Sequence, residues 1–269
     1  MDGTIQQESG EGGTGMANRG EILEYCARRL DVGAYQDVAI NGLQVEGTDA
    51  IDRIAVAVST SDRTISEAID WNADALLVHH GLFWGSKLQP LTGLLGKRLG
   101  KLFKHDINLI GYHLPLDGHA EIGNNAILTS ELGLEFAGRF GDVAGVPLGV
   151  IGKAAEPLEL PDILNRLEDM LDRTPVAVGT EAEGNRYDRI GILSGSGYGT
   201  IAELAARDCR VLITGDVREP TMAEARELGV VAIAAGHEAT ERTGIQALAN
   251  ELATEFSVET RFFSDPNPI

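Results

Sequence analysis

Cysteine is scarce in this sequence: Cys26 and Cys209 are the two cysteines among 269 residues. They lie far apart, so their spacing supports neither a CxxC zinc site nor a disulfide framework. We expect ordinary packing roles for both thiols, and a protein that works in a reducing, cytoplasmic compartment.

Long apolar stretches are missing as well. No run approaches the roughly 18 consecutive apolar residues that a membrane span needs, so we expect no membrane partner. The opening residues, Met1 to Gly15, are acidic and rich in glycine, and they lack the basic and apolar regions of a signal peptide. We therefore expect residues 1–16 to form a disordered acidic extension.

Basic residues are few relative to acidic ones. Lysine and arginine together number 22, five of them lysines, against 41 aspartates and glutamates, and the formal net charge is −19. Such a surface repels a polyanion, which makes DNA an unfavourable partner. Scarce lysine with abundant acid is typical of proteins from salt-accumulating organisms, in which salt screens the self-repulsion. The composition therefore predicts an acidic, halophile-like surface.

What the sequence does contain suits an α/β protein. A hydrophobic fraction of 43% and 33 glycines indicate a globular, turn-rich chain, and its length indicates one large or two modest domains. In the first half, short apolar runs alternate with helical patterns. The predicted strands are 54–58, 75–78 and 107–112, and the predicted helices are 19–30, 62–71, 91–104 and 124–132. Continuous apolar strands between helices predict mostly parallel or mixed sheets flanked by helices.

The same alternation continues in the second half. Strands are predicted at 146–151, 175–179, 189–193, 211–214, 230–234 and 258–263, and helices at 161–172, 200–207, 221–228 and 238–255. Glycines cluster in 133–145, and a boundary there predicts a first α/β domain over 17–133 and a second over 134–269. The last helix and strand could pack back on the first domain. The stretch Gly179 to Arg186 is expected to be an exposed loop.

The most distinctive chemistry begins with an adjacent histidine pair at a predicted strand end. His79 and His80 follow the strand at 75–78, and Gly81 allows the chain to turn tightly after them. Neighbouring side chains of a strand point opposite ways, so such a pair is better suited to touching two metals than to chelating one. The alternative is a polar strand terminus with two solvated histidines.

A carboxylate follows the next predicted strand. Asp117 ends the segment that runs on from 107–112, and a carboxylate there could bridge two cations. The alternative is an ordinary turn aspartate after Pro115. His113 and His119 flank Asp117 and could orient ligands or handle protons.

The start of the last predicted helix offers two more ligands. His237 and Glu241 are four residues apart, which places them on one helical face, and Gly236 supplies a tight turn before them. The alternative is a solvated helix start whose acidic residues favour the helix dipole.

These residues make a stronger case together than separately, because the carboxyl ends of parallel strands meet at one edge of a sheet. Imidazole and carboxylate ligands suit zinc, iron, manganese or nickel better than calcium or magnesium. Five such ligands could serve two divalent ions roughly 3.5–4 Å apart and leave positions open for a substrate. The predicted ligand set is His79, His80, Asp117, His237 and Glu241.

Two further stretches lie between a strand and a helix. The segment from Ser194 to Gly199 contains three glycines, and its amides could hold an anion, although a plain tight turn explains it better. Asp216 follows Thr214-Gly215 and could support a ligand or cap a helix.

At this point the motifs resemble those of a known family, the Nif-three-like dinuclear metal-centre family. Its members are often labelled GTP cyclohydrolase I type 2 homologues. The resemblance covers about Gly20 to Ile269 and rests on motifs that occur in the expected order: His79-His80-Gly81-Leu82-Phe83-Trp84, Tyr112-His113-Leu114-Pro115-Leu116-Asp117, Gly123-Asn124-Asn125, Thr214-Gly215-Asp216, Gly236-His237-Glu238-Ala239-Thr240-Glu241 and Asp265-Pro266-Asn267-Pro268.

The resemblance implies a dinuclear site made by the same five ligands, between two related α/β domains that face one another. It also implies a short-form protein that assembles as a homohexameric, toroid-like ring. Many relatives have glutamate where this chain has Asp216.

Two functions fit these expectations. The first is a metal-dependent hydrolase that acts on a nucleotide or a related phosphorylated small molecule, similar to a GTP cyclohydrolase, with His113 as the candidate for proton transfer. The alternative is a non-catalytic metal chaperone or a regulatory, ligand-sensing ring, which needs the same ligands without turnover.

Overall fold

The protein is described by a computed structural model that covers residues 17–85, 87, 89–179 and 184–268. The predicted extension over 1–16 and part of the predicted loop at 179–186 lie outside these described residues. The strands are β1 Ala17–Asn18, β2 Gly42–Val45, β3 Ala50–Ile51, β4 Arg53–Ser59, β5 Ala75–His80, β6 Asn108–Gly111, β7 Glu135–Val143, β8 Val146–Glu159, β9 Val176–Gly179, β10 Arg186–Leu193, β11 Val211–Thr214, β12 Val231–Ala234 and β13 Glu259–Phe262.

The helices begin and end close to the predicted limits in most cases. Their bounds are α1 Arg19–Arg29, α2 Asp62–Asp70, α3 Gly93–Lys104, α4 Leu114–Gly118, α5 Asn124–Glu131, α6 Leu160–Leu171, α7 Ile201–Ala206, α8 Thr221–Leu228, α9 His237–Thr240 and α10 Arg242–Phe256. Short 3-10 turns cover Val32–Ala34 and Tyr198–Thr200. Within the described residues, no helix is long and apolar enough to cross a membrane.

The first sheet contains five strands in the order β13-β4-β5-β6-β2. Strands β13, β4, β5 and β6 are parallel, and β2 is antiparallel to β6. One face packs against α1 and α10, and the other against α2 and α3. Because helices cover both faces, the central strands are apolar throughout, as the sequence predicts.

The second sheet contains six strands in the order β7-β8-β10-β11-β12-β9. Its three central strands, β10, β11 and β12, are parallel, while β7, β8 and β9 run antiparallel to their neighbours. Helices α5 and α6 pack on one face, and α7 and α8 on the other. The fold is thus α/β with parallel and mixed sheets flanked by helices, as predicted.

The chain crosses between the two sheets at its end. Helix α9 contributes Ala239 to the core of the second sheet, whereas α10 packs Ile245 and Leu248 into the core of the first. Strand β13 then joins the edge of the first sheet beside β4. In the tail, Asp265 accepts a hydrogen bond from the Ser61 hydroxyl, which caps α2. The division into two domains at 133–134 stays a prediction.

The structure differs from the sequence predictions in several places. Strand β8 continues to Glu159, eight residues beyond the predicted strand at 146–151. Strand β7 was not predicted, because its glycines favour a linker, yet Gly138 and Gly141 sit in a bulged edge strand with positive φ. Asp117 does not end a strand but lies in the short helix α4. The single helix predicted at 238–255 is interrupted at Glu241, so the chain forms α9 and α10 in succession.

Candidate metal centre

The predicted ligands come from elements that belong to both sheets. His79 and His80 are the last residues of β5, and Asp117 follows β6 in helix α4. His237 begins α9 directly after β12, and Glu241 stands at the break between α9 and α10. The carboxyl ends of the parallel strands therefore face one another across a common space. The structure brings all five residues together.

Glu241 lies at the middle of the cluster. Its Oε1 is 3.5 Å from His79 Nε2, while its Oε2 is 3.2 Å from His80 Nε2 and 3.3 Å from His237 Nε2. Asp117 Oδ2 is 3.6 Å from His79 Nε2. Three sets of potential ligands result. Two of them share Glu241: one contains His79 and Asp117, the other His80 and His237. The third joins His79 and His80 to His113. Glu241 thus holds the bridging position between the two sets that the sequence analysis gave to Asp117.

These separations fit shared cations better than direct hydrogen bonds. Two ligand atoms that each lie about 2.1 Å from one tetrahedral ion are about 3.4 Å apart, whereas an N–H···O bond is normally below about 3.2 Å. Six buried side-chain polar atoms of the described residues have no hydrogen-bond partner, and two of them, His79 Nε2 and Glu241 Oε2, lie in this cluster. Buried polar atoms are rarely left in that condition, so the donor set fits divalent metal ions.

Each candidate histidine ligand is oriented through its other ring nitrogen. His79 Nδ1 is 2.9 Å from the Tyr112 carbonyl oxygen, and His80 Nδ1 is 3.0 Å from the Ser59 hydroxyl. His237 Nδ1 is 2.8 Å from Asp216 Oδ2. Such contacts leave Nε2 of each ring directed at the shared space, which is the usual arrangement of metal-binding histidines. Asp216 therefore orients the His237 ring, a role that the sequence left open.

Two hydrogen bonds also fix the orientation of the Asp117 carboxylate. Its Oδ1 accepts hydrogen bonds from Asn124 Nδ2 at 2.8 Å and from the Ser194 hydroxyl at 3.0 Å. The other oxygen, Oδ2, remains directed at His79. Asn124 additionally accepts from the Gly244 amide of α10, which ties the site to the first turn of that helix.

His113 faces the same space and has a buried acidic partner that sequence reasoning missed. Its Nδ1 is 2.9 Å from Asp37 Oδ1, and Asp37 also accepts from the Leu114 amide. The side chain of Asp37 is 2% exposed. Asp37 lies in an irregular segment without periodic pattern, so nothing local pointed to it. His119, by contrast, does not join the cluster: its Nε2 lies 2.9 Å from the Arg29 carbonyl.

The electrostatic environment of the cluster shifts the pKa values of its side chains in different directions. Burial opposes protonation of His79, but the carboxylates of Asp117 and Glu241 outweigh it and raise the pKa of His79 to about 9. Burial likewise opposes protonation of His237, and its contacts with Glu241 and Asp216 raise the pKa to about 9.

His80 and the two carboxylates respond differently. Burial lowers the pKa of His80 to about 3, although Glu241 acts in the opposite direction. Burial raises the pKa of Asp117, whereas the surrounding histidines hold the pKa of the equally buried Glu241 well below its usual range. Glu241 is therefore an anion at neutral pH and available to cations.

The glycine-rich loop after β10 forms one wall of the site. Gly195 has φ +61°, and a Cβ there would stand 2.3 Å from Glu241 Oε1 and 3.2 Å from His237 Nε2. Only glycine leaves room for the ligands at this position. The loop thus serves as a close-packed turn against the candidate ligands.

A cavity of about 330 Å³ opens over the cluster. Trp84 forms part of its wall, with its ring centroid 5.0 Å from that of His113 and 5.7 Å from that of His80. Trp84 ends the motif that begins with His79 and His80, where no sequence pattern indicated a role for it.

Comparison with known proteins agrees with this architecture. The sequence profile described as Duf34/NIF3 (NGG1p interacting factor 3) matches residues 17–268, which include every ligand of the cluster. This chain belongs to the Duf34/NIF3 family. The predicted family membership is therefore confirmed.

Members of the Duf34/NIF3 family and their solved structures align over almost the whole chain. A protein of Deinococcus radiodurans named GTP cyclohydrolase 1 type 2 homolog is 39% identical over 258 residues, covering 96% of this chain and 97% of that relative. The structure titled protein ybgI, unknown function, is 36% identical with a TM-score of 0.88, covering 94% of this chain and 100% of that one. The structure of TTHA1606 from Thermus thermophilus is 33% identical with a TM-score of 0.82, covering 94% and 100%.

Proposed function

We propose that this protein holds two divalent metal ions and acts as a metal-dependent hydrolase of a small molecule in the cytoplasm. The observation that carries the proposal is the pair of ligand sets that share Glu241, with unpartnered His79 Nε2 and Glu241 Oε2 buried between them. Ligand chemistry permits zinc, iron, manganese or nickel. The name of its relatives, GTP cyclohydrolase 1 type 2 homolog, fits a hydrolytic reaction on a nucleotide or a related phosphorylated compound.

Different residues of the chain would bind the ions, orient the ligands and transfer a proton. The ions would be held by Glu241, Asp117 and the three histidines. The orientation of these ligands is fixed by hydrogen bonds with Asp216, Ser59, Asn124 and Ser194. When bound, the ions would supply Lewis-acid polarisation of a substrate oxygen. His113 donates Nδ1–H to Asp37, which leaves its Nε2 able to accept or return a proton at the cavity wall.

Burial favours the hydrolase over the alternative of a metal chaperone. The side chains of His79 and Glu241 are 0% and 3% exposed, so an acceptor protein could reach these two ligands only after a rearrangement. A chaperone that hands on its metal needs ligands that exchange readily. The homohexameric ring also stays part of this proposal, to be checked by the mass of the assembly in solution.

The metal content per chain tests the proposal directly. Wild-type protein, purified without chelator, is expected to contain about two divalent ions per chain. His79→Ala and Glu241→Gln are each expected to lose most of this metal, because each removes an atom of the buried ligand set. His105→Ala is the matched control, since His105 is an exposed histidine at the end of α3. Metal-free wild-type protein, even after reconstitution, would contradict the proposal.

Proton transfer by His113 is tested separately on metal-loaded protein. Hydrolysis of a panel of nucleosides and nucleotides is followed by chromatography of the products. His113→Ala is expected to retain its metal and to lower turnover by about 10²–10⁴-fold. Asp37→Asn is expected to lower turnover in the same direction, because it weakens the hydrogen bond that orients the imidazole. Absence of turnover in the wild type, with full metal content, would favour the non-catalytic alternative.

A further inference from the structure

A second cavity, of about 150 Å³, lies apart from the candidate metal centre. Its wall is made by helix α5, strands β7 and β8, and the turns that lead into α5 and β7. Among the described residues, no side chain lines both this cavity and the one over the ligand cluster. Any ligand of the second cavity is therefore recognised by residues that the proposed function does not use.

Arg139 of β7 is the charged residue in the wall of the second cavity, and no acidic side chain of the described residues pairs with it. Its Nη1 donates to the Leu148 carbonyl at 3.3 Å, while Nε and Nη2 have no partner within the described chain. Neither nitrogen is fully buried, so a ligand can reach both. Burial lowers the pKa of Arg139, and Tyr35 opposes this shift. A half-buried cation without a counter-ion favours an anionic ligand.

Helix α5 brings two hydroxyl groups to the same wall. Thr129 is buried and its hydroxyl donates to the Asn125 carbonyl at 2.6 Å, so it keeps no proton for a ligand. Ser130 is exposed, and its hydroxyl has no hydrogen-bond partner among the described residues. Ser130 can therefore donate to an anion. Carboxylates and phosphates are both bound in this way, by a guanidinium fork that neutral donors support.

The apolar part of the wall decides between these two kinds of anion. Leu134 is buried, and the Phe136 ring is 66% exposed, with its centroid 5.9 Å from Arg139 Cζ. Ala126 and Val150 add further apolar surface. Inorganic phosphate would leave oxygens without partners against such a wall, which is unfavourable. A cavity of about 150 Å³ is large enough for benzene, so the apolar part of the ligand is small.

We propose that the second cavity binds a small carboxylic acid whose apolar part is about the size of a benzene ring. Arg139 pairs with the carboxylate through Nε and Nη2, and Ser130 donates a third hydrogen bond to it. Leu134 and Phe136 contact the apolar part of the ligand. The site depends neither on the metal ions nor on the hydrolytic function, since its residues belong to a separate cavity.

Calorimetric titration of the full chain with benzoate tests the site. Benzamide is the uncharged counterpart of this ligand, and inorganic phosphate is an anion without an apolar part. Benzoate is expected to bind with a Kd on the order of 0.1–1 mM, as suits a ligand of its size. Benzamide and phosphate are each expected to bind at least about tenfold more weakly, because benzamide lacks the charge that pairs with the guanidinium and phosphate lacks the apolar contacts.

Variants of the wall locate the bound benzoate. Arg139→Gln is expected to weaken its binding by about tenfold or more, and Arg139→Lys by less, because lysine keeps the charge without the fork. Ala126→Leu leaves the guanidinium in place but fills the cavity, so it is expected to weaken binding to a similar extent as Arg139→Gln. Arg218→Gln is the matched control, because Arg218 also lies beside an aromatic ring, 4.5 Å from the Tyr198 centroid, and away from the cavity wall. Its affinity is expected to equal that of the wild type, and melting temperatures show that each variant is folded.

The outcomes distinguish this site from other places where a carboxylate could bind. Benzoate that binds Arg139→Gln and Ala126→Leu as tightly as the wild type is held elsewhere, the metal centre included, and overturns the proposal. Wild-type protein that binds no benzoate, or that binds benzamide or phosphate equally well, overturns it too. Loss of binding in both cavity variants, with full binding in Arg218→Gln, supports it. The metal content per chain plays no part in these results, so the proposed function stands or falls separately.

Discussion

At the scale of the residue, the candidate metal centre depends on one acid and on the glycine beside it. Glu241 contacts three histidines with its two oxygens, and Gly195 approaches it closely enough to exclude any side chain. Ligands that serve two ions must be held within a few tenths of an ångström, so space beside them matters as much as their identity.

Gly195→Ala tests this close approach. The added Cβ would stand 2.3 Å from Glu241 Oε1, and the backbone at φ +61° disfavours alanine as well. We expect the variant to lose half or more of its metal and to be less stable by about 1–3 kcal/mol, as measured by metal analysis and urea unfolding.

Gly199→Ala is the control for that experiment. Gly199 lies in the same loop, and a Cβ there would meet no atom within 4 Å. Its metal content is expected to match the wild type. If Gly195→Ala also kept two ions per chain, Glu241 would have to bind them from a different position.

At the scale of the element, the connection between the first and last helices is the clearest long-range link. Arg29 of α1 donates to both oxygens of Glu251 in α10, at 2.9 Å each, and the Tyr25 hydroxyl donates to the same carboxylate. Helix α10 begins directly after Glu241, so its first turn lies beside the candidate metal centre. The link to Arg29 and Tyr25 therefore stabilises the helix that follows Glu241.

Glu251→Gln is expected to lower the free energy of unfolding by about 1 kcal/mol at pH 7. The hydrogen bonds from Arg29 hold the pKa of Glu251 below its usual range. A lowered pKa stabilises the folded state above the ordinary value of about 4.3, and this contribution disappears as the pH falls through the folded pKa. The difference between wild type and variant should therefore become smaller as the pH falls below about 4.3.

Urea unfolding at pH 7 and pH 3 measures both values. Glu255→Gln provides the comparison, because Glu255 is exposed one turn further along α10. A difference for Glu251→Gln that persists unchanged at the lower pH would mean that the glutamine disturbs packing and that the charge contributes little.

At the same scale, local sequence patterns predicted the central strands but neither strand β7 nor the interruption of the last helix. Apolar runs predicted β4, β5, β11 and β12 closely, because central parallel strands are covered on both faces and therefore apolar throughout. Strand β7 escaped prediction, since its pairing with β8 outweighs the unfavourable propensity of its glycines. The helix interruption at Glu241 also has no local cause in the sequence.

At the scale of the whole molecule, the dominant property is the net charge of −19. Self-repulsion of this size destabilises the folded state at low ionic strength, and salt screens it. We expect the melting temperature to rise by about 5 °C or more between 0.1 and 2 M potassium chloride, as followed by circular dichroism.

An equal osmolality of glycerol controls for effects that do not involve charge. A melting temperature that is the same in low and high salt would remove the case for a halophile-like surface. The predicted ring is checked in the same buffers, by light scattering of the intact protein.

The sequence by itself determined the candidate ligands, through the family motifs, the strand ends and the imidazole and carboxylate types of the five residues. Those features are local, because strand periodicity and turn residues are written into consecutive positions. The tertiary structure decided that Glu241 bridges the two ligand sets, that Asp37 supports His113, and that an apolar wall covers the site. These depend on side chains brought together from distant segments by the packing of two sheets, which no local pattern encodes.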